Sequence, residues 1–422
     1  AYEAYIRRNA RWNFAVNVMD LTFYHLAISF VFGSTVLSLY ASYLTEKALL
    51  IGLIPAIQSV GFFWPQLLLA RRSEQWPRKR PYIQIISVME RLPYLAVGLS
   101  ILLWPRAPWW VSFGLLALGL ALATGAGGLC GPAWQAMLAK VIPAERRGLL
   151  FGLSNAFGGF MGVVGTRLSR TVLETYPNPT SFGICFLICF FFQVISWIGL
   201  SLNREPRKVP GRPPLPAREY WRRLPRILSA NPNYTRYLVG RTLAILGAMG
   251  TAFYIVYGRR TFQVSDGFAA NLTMAALISQ TIFTPLLGWL GDRRGHKLVL
   301  ELATAIGALG VLLILVSPSE AWLYGVFMLV NAATAGIGVA SFGIIMEFSD
   351  PDDLPTFAAV ANTILAVPIL ASPVLGGWLA DVAGYRALFG VALACACLAF
   401  VVLRWAVREP RHERNAVGLA DI

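Results

Sequence analysis

A few polar and ionisable residues stand inside long apolar runs, and their chemistry frames the reading of the chain. Asp20 sits seven residues past Asn13, about 10 Å into the first run at the helical rise. A carboxylate at that depth in hydrocarbon costs about 3 kcal/mol unless it is paired or wetted. Asn13, Asn17, Asp20 and Tyr24 recur at helical spacing and make one polar stripe. Such a stripe reads as facing a substrate or a proton; a fixed ion pair to a neighbouring helix is the alternative. His25 is the one histidine inside an apolar run, since His296 and His412 stand in polar segments. Its ordinary titration near neutral pH suits proton transfer, and a hydrogen-bonded core histidine is the blander reading. Five residues on from Asp20, it points about 140° away round the helix, so the two are not a simple pair. Arg241, early in the seventh run, can meet Asp20, anchor an anionic substrate, or snorkel to the membrane surface. Glu90 and Arg91 are adjacent, point to different faces and read as pairing with other helices. Asn155 and Asn362 stand at equivalent places, where they either touch substrate or bond between helices. Gln58, Gln280 and Asn331 are weaker candidates of the same kind.

The elements that position these residues follow from composition. The 422 residues are 56% hydrophobic and 14% charged, with mean hydropathy +0.59. Soluble domains carry about 25% charged residues, so this chain lacks the polar surface that water requires. Apolar runs fall near 13–40, 49–70, 81–104, 109–138, 148–173, 179–202, 233–257, 268–290, 298–316, 321–347, 355–380 and 385–406. That predicts twelve spanning helices, an all-α polytopic membrane protein, because a span in lipid must satisfy its own backbone hydrogen bonds. The net charge of +15 would suggest nucleic acid in a soluble protein. Here the basic residues lie between runs, so they read as topology signals and no nucleic-acid partner is expected. Cys130, Cys185, Cys189, Cys395 and Cys397 lie inside runs with no metal-site spacing around them, so they read as small core residues. No nucleotide loop, triad or metal cluster is visible; no cofactor, no metal and no enzymatic activity are expected. No signal-peptide pattern is visible either, and the first residue is Ala, so the start reads as trimmed.

Arg and Lys cluster before the first run, after the second and fourth, after the twelfth and, most densely, in 203–232. Both termini are therefore expected on the cytoplasmic side of the cell membrane. The Pro- and Arg-rich stretch 203–232 divides the chain into a six-helix half over 1–202 and another over 233–422. Part of this linker, Glu219 to Leu228, has the pattern of a short helix lying on the membrane. The halves repeat one another. Arg204-Glu205-Pro206-Arg207 closes the first and Arg408-Glu409-Pro410-Arg411 the second; Pro65 and Pro285 lie 220 residues apart in related contexts; Asn155 and Asn362 do so at 207.

Between two runs lies Gly288-Trp289-Leu290-Gly291-Asp292-Arg293-Arg294-Gly295-His296-Lys297. This pattern resembles the loop signature of the major facilitator superfamily, the twelve-helix secondary transporters. The resemblance implies two pseudo-symmetric six-helix bundles, parallel halves, and a central cavity lined by helices one and seven. The first-half copy departs from it: Leu68, Arg71 and Arg72 stand where Gly288, Gly291 and Asp292 stand in the second. Helix five carries glycines without the proline of drug/proton antiporters, and the sugar-porter signature after helix six is missing, so no substrate subfamily is assigned.

The loops suggest a gate on the cytoplasmic side. Arg71 and Arg72 would face the acidic stretch of Glu347, Asp350 and Asp353, while Asp292 would face the start of helix five near Arg146; Arg293 and Lys297 hold the hairpin at the surface. Exposed loop charges of little energetic weight are the alternative. The function expected is secondary active transport of a small molecule by alternating access, with protons as coupling partner and a monomer in the bilayer. Export or flipping of an amphipathic or lipid-like molecule is the runner-up, and a non-transporting membrane assembly factor on the same fold is the rival from another class.

Overall fold

The computed structural model of the chain describes residues 2–73, 76–207, 228–348 and 354–410. Asp350 and Asp353 lie outside the described residues, as do the side chains of Arg71 and Arg72. Each apolar run becomes helix. They are α1 (Tyr2–Ser29), α2 (Ser38–Leu44), α3 (Ala48–Ser73), α4 (Arg80–Leu103), α5 (Trp109–Val141), α6 (Ala144–Thr175), α7 (Thr180–Ser201), α8 (Pro232–Gly247), α9 (Tyr254–Phe262), α10 (Asp266–Arg294), α11 (His296–Val316), α12 (Trp322–Phe348) and α13 (Leu354–Val401). Among the described residues no strand occurs.

Ten helical stretches are long and apolar enough to cross a membrane, and Ala48–Phe62 adds a shorter one. The stretch Val360–Ala406 counts twice. Its 47 residues would extend about 70 Å as one helix, more than twice a hydrocarbon core, and the chain changes direction at Gly384 (φ +84°). The twelve crossings read from the sequence are thereby all present. Large apolar side chains stand outward along them, for example Ile85 at 67% and Val367 at 68% exposure. Such a surface is stable only against lipid.

Two crossings are interrupted, at matching depths. The first passes from α1 through a π-helical turn at Gly33–Leu37 into α2, and the seventh passes from α8 through a 3-10 turn at Thr251–Phe253 into α9. Both breaks coincide with weak helix formers, Gly33-Ser34-Thr35 in the first and Gly250-Thr251 in the second, inside runs that stay apolar overall.

The chain forms two compact units, Ala1–Pro213 with Val264–Met274, and Pro214–Gln263 with Ala275–Ile422. In the first, α1 packs on α6 and α7, α4 on α5 and α7, and α3 on α5. In the second, α11 packs on α12, and α13 on both α8 and α11. The first turns of α10 group with the first unit for a visible reason. The Asp266 carboxylate accepts from the Tyr43 hydroxyl at 2.7 Å and from Asn178, and the Asn271 side-chain oxygen accepts from Arg170.

One clamp is built twice. The Asn13 side chain accepts from the Arg204 backbone N–H at 2.8 Å and donates to the Arg204 carbonyl at 3.2 Å. The Asn233 side chain accepts from the Arg408 N–H at 2.8 Å and donates to the Arg408 carbonyl at 3.1 Å. Asn13 and Asn233 lie 220 residues apart, the spacing of Pro65 and Pro285. The repeated Arg-Glu-Pro-Arg thus closes each unit onto its own first helix.

Candidate functional site

The first unit encloses a cavity of about 270 Å³. It is lined by Asp20 and Tyr24 from α1, Glu90, Arg91 and Tyr94 from α4, and Trp134 from α5, among others. A hydrogen-bonded chain runs along its wall. The Ser196 hydroxyl, on α7, donates to Asp20 Oδ1 at 2.6 Å and accepts from Arg91 Nη2 at 3.2 Å. Arg91 Nη1 reaches Glu90 Oε2 at 3.4 Å, and the Tyr24 hydroxyl donates to Glu90 Oε1 at 3.2 Å. Backbone carbonyls hold the guanidinium in place: Nε donates to Gln193 O and Nη1 to Ser87 O, both at 2.8 Å. Asp20 is 5% exposed; the side chains of Arg91 and Glu90 are 5% and 14% exposed. Gly199 makes the α1–α7 approach possible, because a Cβ there would lie 2.9 Å from Val16 O and 3.1 Å from Asp20 N. Without that approach Ser196 would not reach Asp20. Gly127 similarly leaves room for the Glu90 carboxyl, 3.3 Å from where its Cβ would stand.

Two carboxyls therefore share one guanidinium. With both ionised, the cluster carries one negative charge in excess in a low-dielectric setting, where an uncompensated charge is strongly unfavourable. A proton or a cation neutralises it. The arrangement thus sets two carboxyls and one guanidinium beside a cavity of small-molecule size.

The sequence matches the profile of the Major Facilitator Superfamily over residues 21–258 and again over 237–421. The chain belongs to that superfamily. The fold agrees. A point mutant of the nucleoside transporter NupG superposes with TM-score 0.70 at 9% identity, over 92% of this chain and 98% of that one. The D-xylose-proton symporter does so with TM-score 0.68 at 15% identity, over 97% and 99%. In sequence, the chain is 26% identical over 153 residues to the class B tetracycline resistance protein of Escherichia coli, covering 36% of this chain and 37% of that protein. It is 27% identical over 157 residues to the multidrug resistance protein MdtG of Dickeya zeae (strain Ech586), 36% and 37% of the two lengths. The chain thus spans little more than a third of the length of these curated relatives.

Within this member of the superfamily, the other sequence candidates fall apart into different jobs. Of the polar stripe on α1, Asp20 and Tyr24 line the cavity and Asn13 and Asn17 do not. Asn17 is fully buried, donating to the Asn13 carbonyl and to Asn203 Oδ1, both at 2.6 Å. His25 donates from Nδ1 to the Leu21 carbonyl at 2.7 Å and packs on Gly158 of α6, where a Cβ would come within 2.9 Å of the ring. It too stands outside the cavity lining. Asn155 and Asn362 are exposed, each on its own unit. Gln280 and Asn331 bond to one another at 2.8 Å and join α10 to α12. Arg241 is 7% exposed, with Nη2 donating to the Ser341 hydroxyl at 3.0 Å.

The signature loop is a tight hairpin between α10 and α11. Gly295 takes φ +97°, a conformation costly for any residue with a Cβ, and donates to Gly291 O at 2.9 Å. Gly288 and Gly291 leave room for Val339 and for His296. Arg293 stacks over Trp289 at 4.5 Å. Lys297 pairs with Glu301 at 2.8 Å, and Arg404 with the same carboxylate at 3.5 Å. Glu347 Oε1 lies 2.6 Å from His296 Nδ1. Asp292 and Arg146 are both exposed.

Glu90 and Arg91 are expected from the sequence to pair with other helices, a mainly structural role, and they do so. They bond to each other as well as to α1 and α7, and both line the cavity. A charged pair inside the run 81–104 was the available signal. Ser196, the link between Asp20 and Arg91, gave none, since a lone serine in a 22-residue apolar helix is unremarkable. Glu205 was also missed as a functional part. It receives the backbone N–H groups of Lys79 and Arg80 at the start of α4 and the Lys140 ammonium at 3.2 Å. Its signal was the repeated tetrapeptide, read as a mark of duplication rather than as a cap.

Proposed function

We propose that this chain is a proton-coupled secondary transporter of a small organic molecule in the cytoplasmic membrane. Both termini lie on the cytoplasmic side, and the chain works as a monomer through alternating access of its two halves, 1–202 and 233–422, joined by 203–232. The observation that carries the coupling is the count of charges around the first-unit cavity: Asp20 and Glu90 against Arg91 alone. Loading one proton makes the cluster neutral, and releasing it creates a net charge that the surrounding helices must answer. The chain Asp20–Ser196–Arg91–Glu90–Tyr24 ties both carboxyls to three helices, so a change of charge is felt by α1, α4 and α7 together. Other groups around the cluster are neutral: Gln193 and Ser87 hold Arg91, and Tyr94, Cys130 and Trp134 complete the wall. The cytoplasmic loops, including Asp292, Arg293, Lys297 and Glu347, then act as the inner gate.

Export is the direction we favour, supported by the stretch of similarity to proteins named for resistance to tetracycline and to multiple drugs. A buried ionic chain of this kind is expensive to keep in a merely structural factor, which argues for transport over assembly.

The test uses proteoliposomes that carry a pH-sensitive dye, with the solute identified by mass spectrometry of what co-purifies. Solute addition should move protons in the wild type. Asp20→Asn and Glu90→Gln should each abolish gradient-driven movement and leave solute counterflow in place. Driven movement that persists unchanged in both variants would overturn the proton reading.

A further inference from the structure

The second unit holds a buried cation that its own residues leave largely unanswered. Arg241 of α8 is 7% exposed, and a guanidinium carries five N–H donors. Nη2 donates to the Ser341 hydroxyl of α12 at 3.0 Å. Nε and Nη1 are buried with no acceptor. Among the described residues no carboxylate pairs with it. The Tyr237 hydroxyl, one turn back on α8, lies beside the guanidinium and brings a dipole without a charge. A small cavity of about 60 Å³ opens one turn further along both helices, at Ala244 and Ile337, and its polar lining is hydroxyls: Thr251, Thr304, Thr334 and Tyr254. Nothing there neutralises the arginine either.

An apolar bundle does not keep a charge with open donors in its interior for stability, since a hydrophobic side chain of the same volume serves better. Functional sites are where a protein carries side chains that lower its stability. An oxyanion supplies both what the site lacks, a negative charge, and several acceptor lone pairs for the open donors. We propose that Arg241 binds a negatively charged group, a carboxylate or phosphate, of the molecule this protein carries, with Ser341 and Tyr237 orienting the guanidinium. The inference rests on the transporter reading above and narrows its substrate to an organic anion or zwitterion.

The experiment is thermal unfolding of the purified full chain in a neutral maltoside detergent at constant ionic strength. The probes are benzoate, inorganic phosphate and dihexanoyl phosphatidylglycerol, with benzyl alcohol as the uncharged control. At least one anion should raise Tm saturably above the control. Arg241→Met should weaken that anion's apparent affinity by more than about tenfold, while Arg241→Lys keeps part of it. The Met variant without ligand should be at least as stable as the wild type, which a structural arginine would not allow. A response to benzoate or phosphate assigns the site to a solute, whereas a response confined to the phospholipid assigns it to a headgroup and overturns the substrate proposal. Anions no better than benzyl alcohol, or an anion response unchanged in Arg241→Met, overturn it as well. Should the Met variant not fold, Ser341→Ala and Arg241→Lys carry the comparison, and equal anion affinity in both and the wild type is then the refuting result. Proton movement through the first-unit cluster is read separately, so loss of this inference leaves the coupling proposal standing.

Discussion

Glu205 is the residue whose removal should hurt folding most for its size. Its side chain is 1% exposed. The carboxylate accepts from the Lys79 backbone N–H at 2.8 and 3.0 Å, from the Arg80 N–H at 2.8 Å, and from the Lys140 ammonium at 3.2 Å. Hydrogen bonds to charged groups contribute about 1.5–3 kcal/mol each, and a carboxylate at the first turn of a helix gains up to about 1 kcal/mol more from the helix dipole. These terms do not add fully, because water recovers part of each when the carboxylate is lost. Removing one partner of a buried ion pair typically costs about 3–5 kcal/mol, and Glu205→Ala is expected to fall there, near about 4 kcal/mol. Glu205→Gln keeps the shape and one acceptor oxygen but turns an amide toward three donors, so about half of that loss should remain. The assay is equilibrium unfolding in mixed micelles, followed by tryptophan fluorescence. A cycle with Lys140→Met should show a coupling of about 1–3 kcal/mol, as expected for directly bonded partners. A loss below about 1 kcal/mol for Glu205→Ala would refute the argument, since it would mean that the cap is replaced by water at no cost.

Two further outcomes follow from the same physics. Asn13→Ala and Asn233→Ala each break the same pair of backbone bonds; the buried Asn13 should cost about 1–2 kcal/mol and Asn233, whose bonds are exposed, less; no loss for Asn13→Ala would show that the clamp does not hold the first unit. Gly295→Ala forces a Cβ onto φ +97° and to 2.9 Å from Glu409 Oε1, so a loss of about 1–3 kcal/mol is expected, measured by the same unfolding assay.

The twelve crossings were legible because lipid leaves the backbone no choice: an apolar run of about 20 residues must be a helix. The interruptions after Ser29 and Gly247 left only a weak signal, the Gly, Ser and Thr residues at 33–35 and 247–251, because the runs around them stay apolar. The polar stripe on α1 reads as one surface in the sequence, yet its members serve two purposes. A helix packed on both α6 and α7 buries more than one face, so Asn13 and Asn17 bond toward the end of α7 while Asp20 and Tyr24 reach the cavity. Glu90 and Arg91 do pair with other helices, through Tyr24 of α1 and Ser196 of α7, and they also meet each other. Neighbouring Cβ atoms do diverge round a helix, but both side chains are long enough to bend back and meet at 3.4 Å. Periodicity describes where side chains leave the backbone, and for the longest residues that says little about where their charges end.

Set the two units against each other at a spacing of 220 residues and the division between architecture and chemistry becomes plain. Asn13 matches Asn233, and both make the same clamp. Seven and eight residues on, Asp20 matches Gly240 and Leu21 matches Arg241; Tyr24 matches Ala244. The first unit thus places acids where the second has none, and the second places a buried arginine where the first has leucine. Both cavities persist, one lined by Asp20, Glu90 and Arg91 and the other by hydroxyls and alkyl groups. Contacts that close each bundle survive in both copies because either bundle would loosen without them. Charges inside the bundles are costly, and a hydrophobic side chain of similar volume would hold helices together as well. Charges in complementary rather than repeated positions are what the proposed carrier requires, with one half taking a positive charge and the other a negative one.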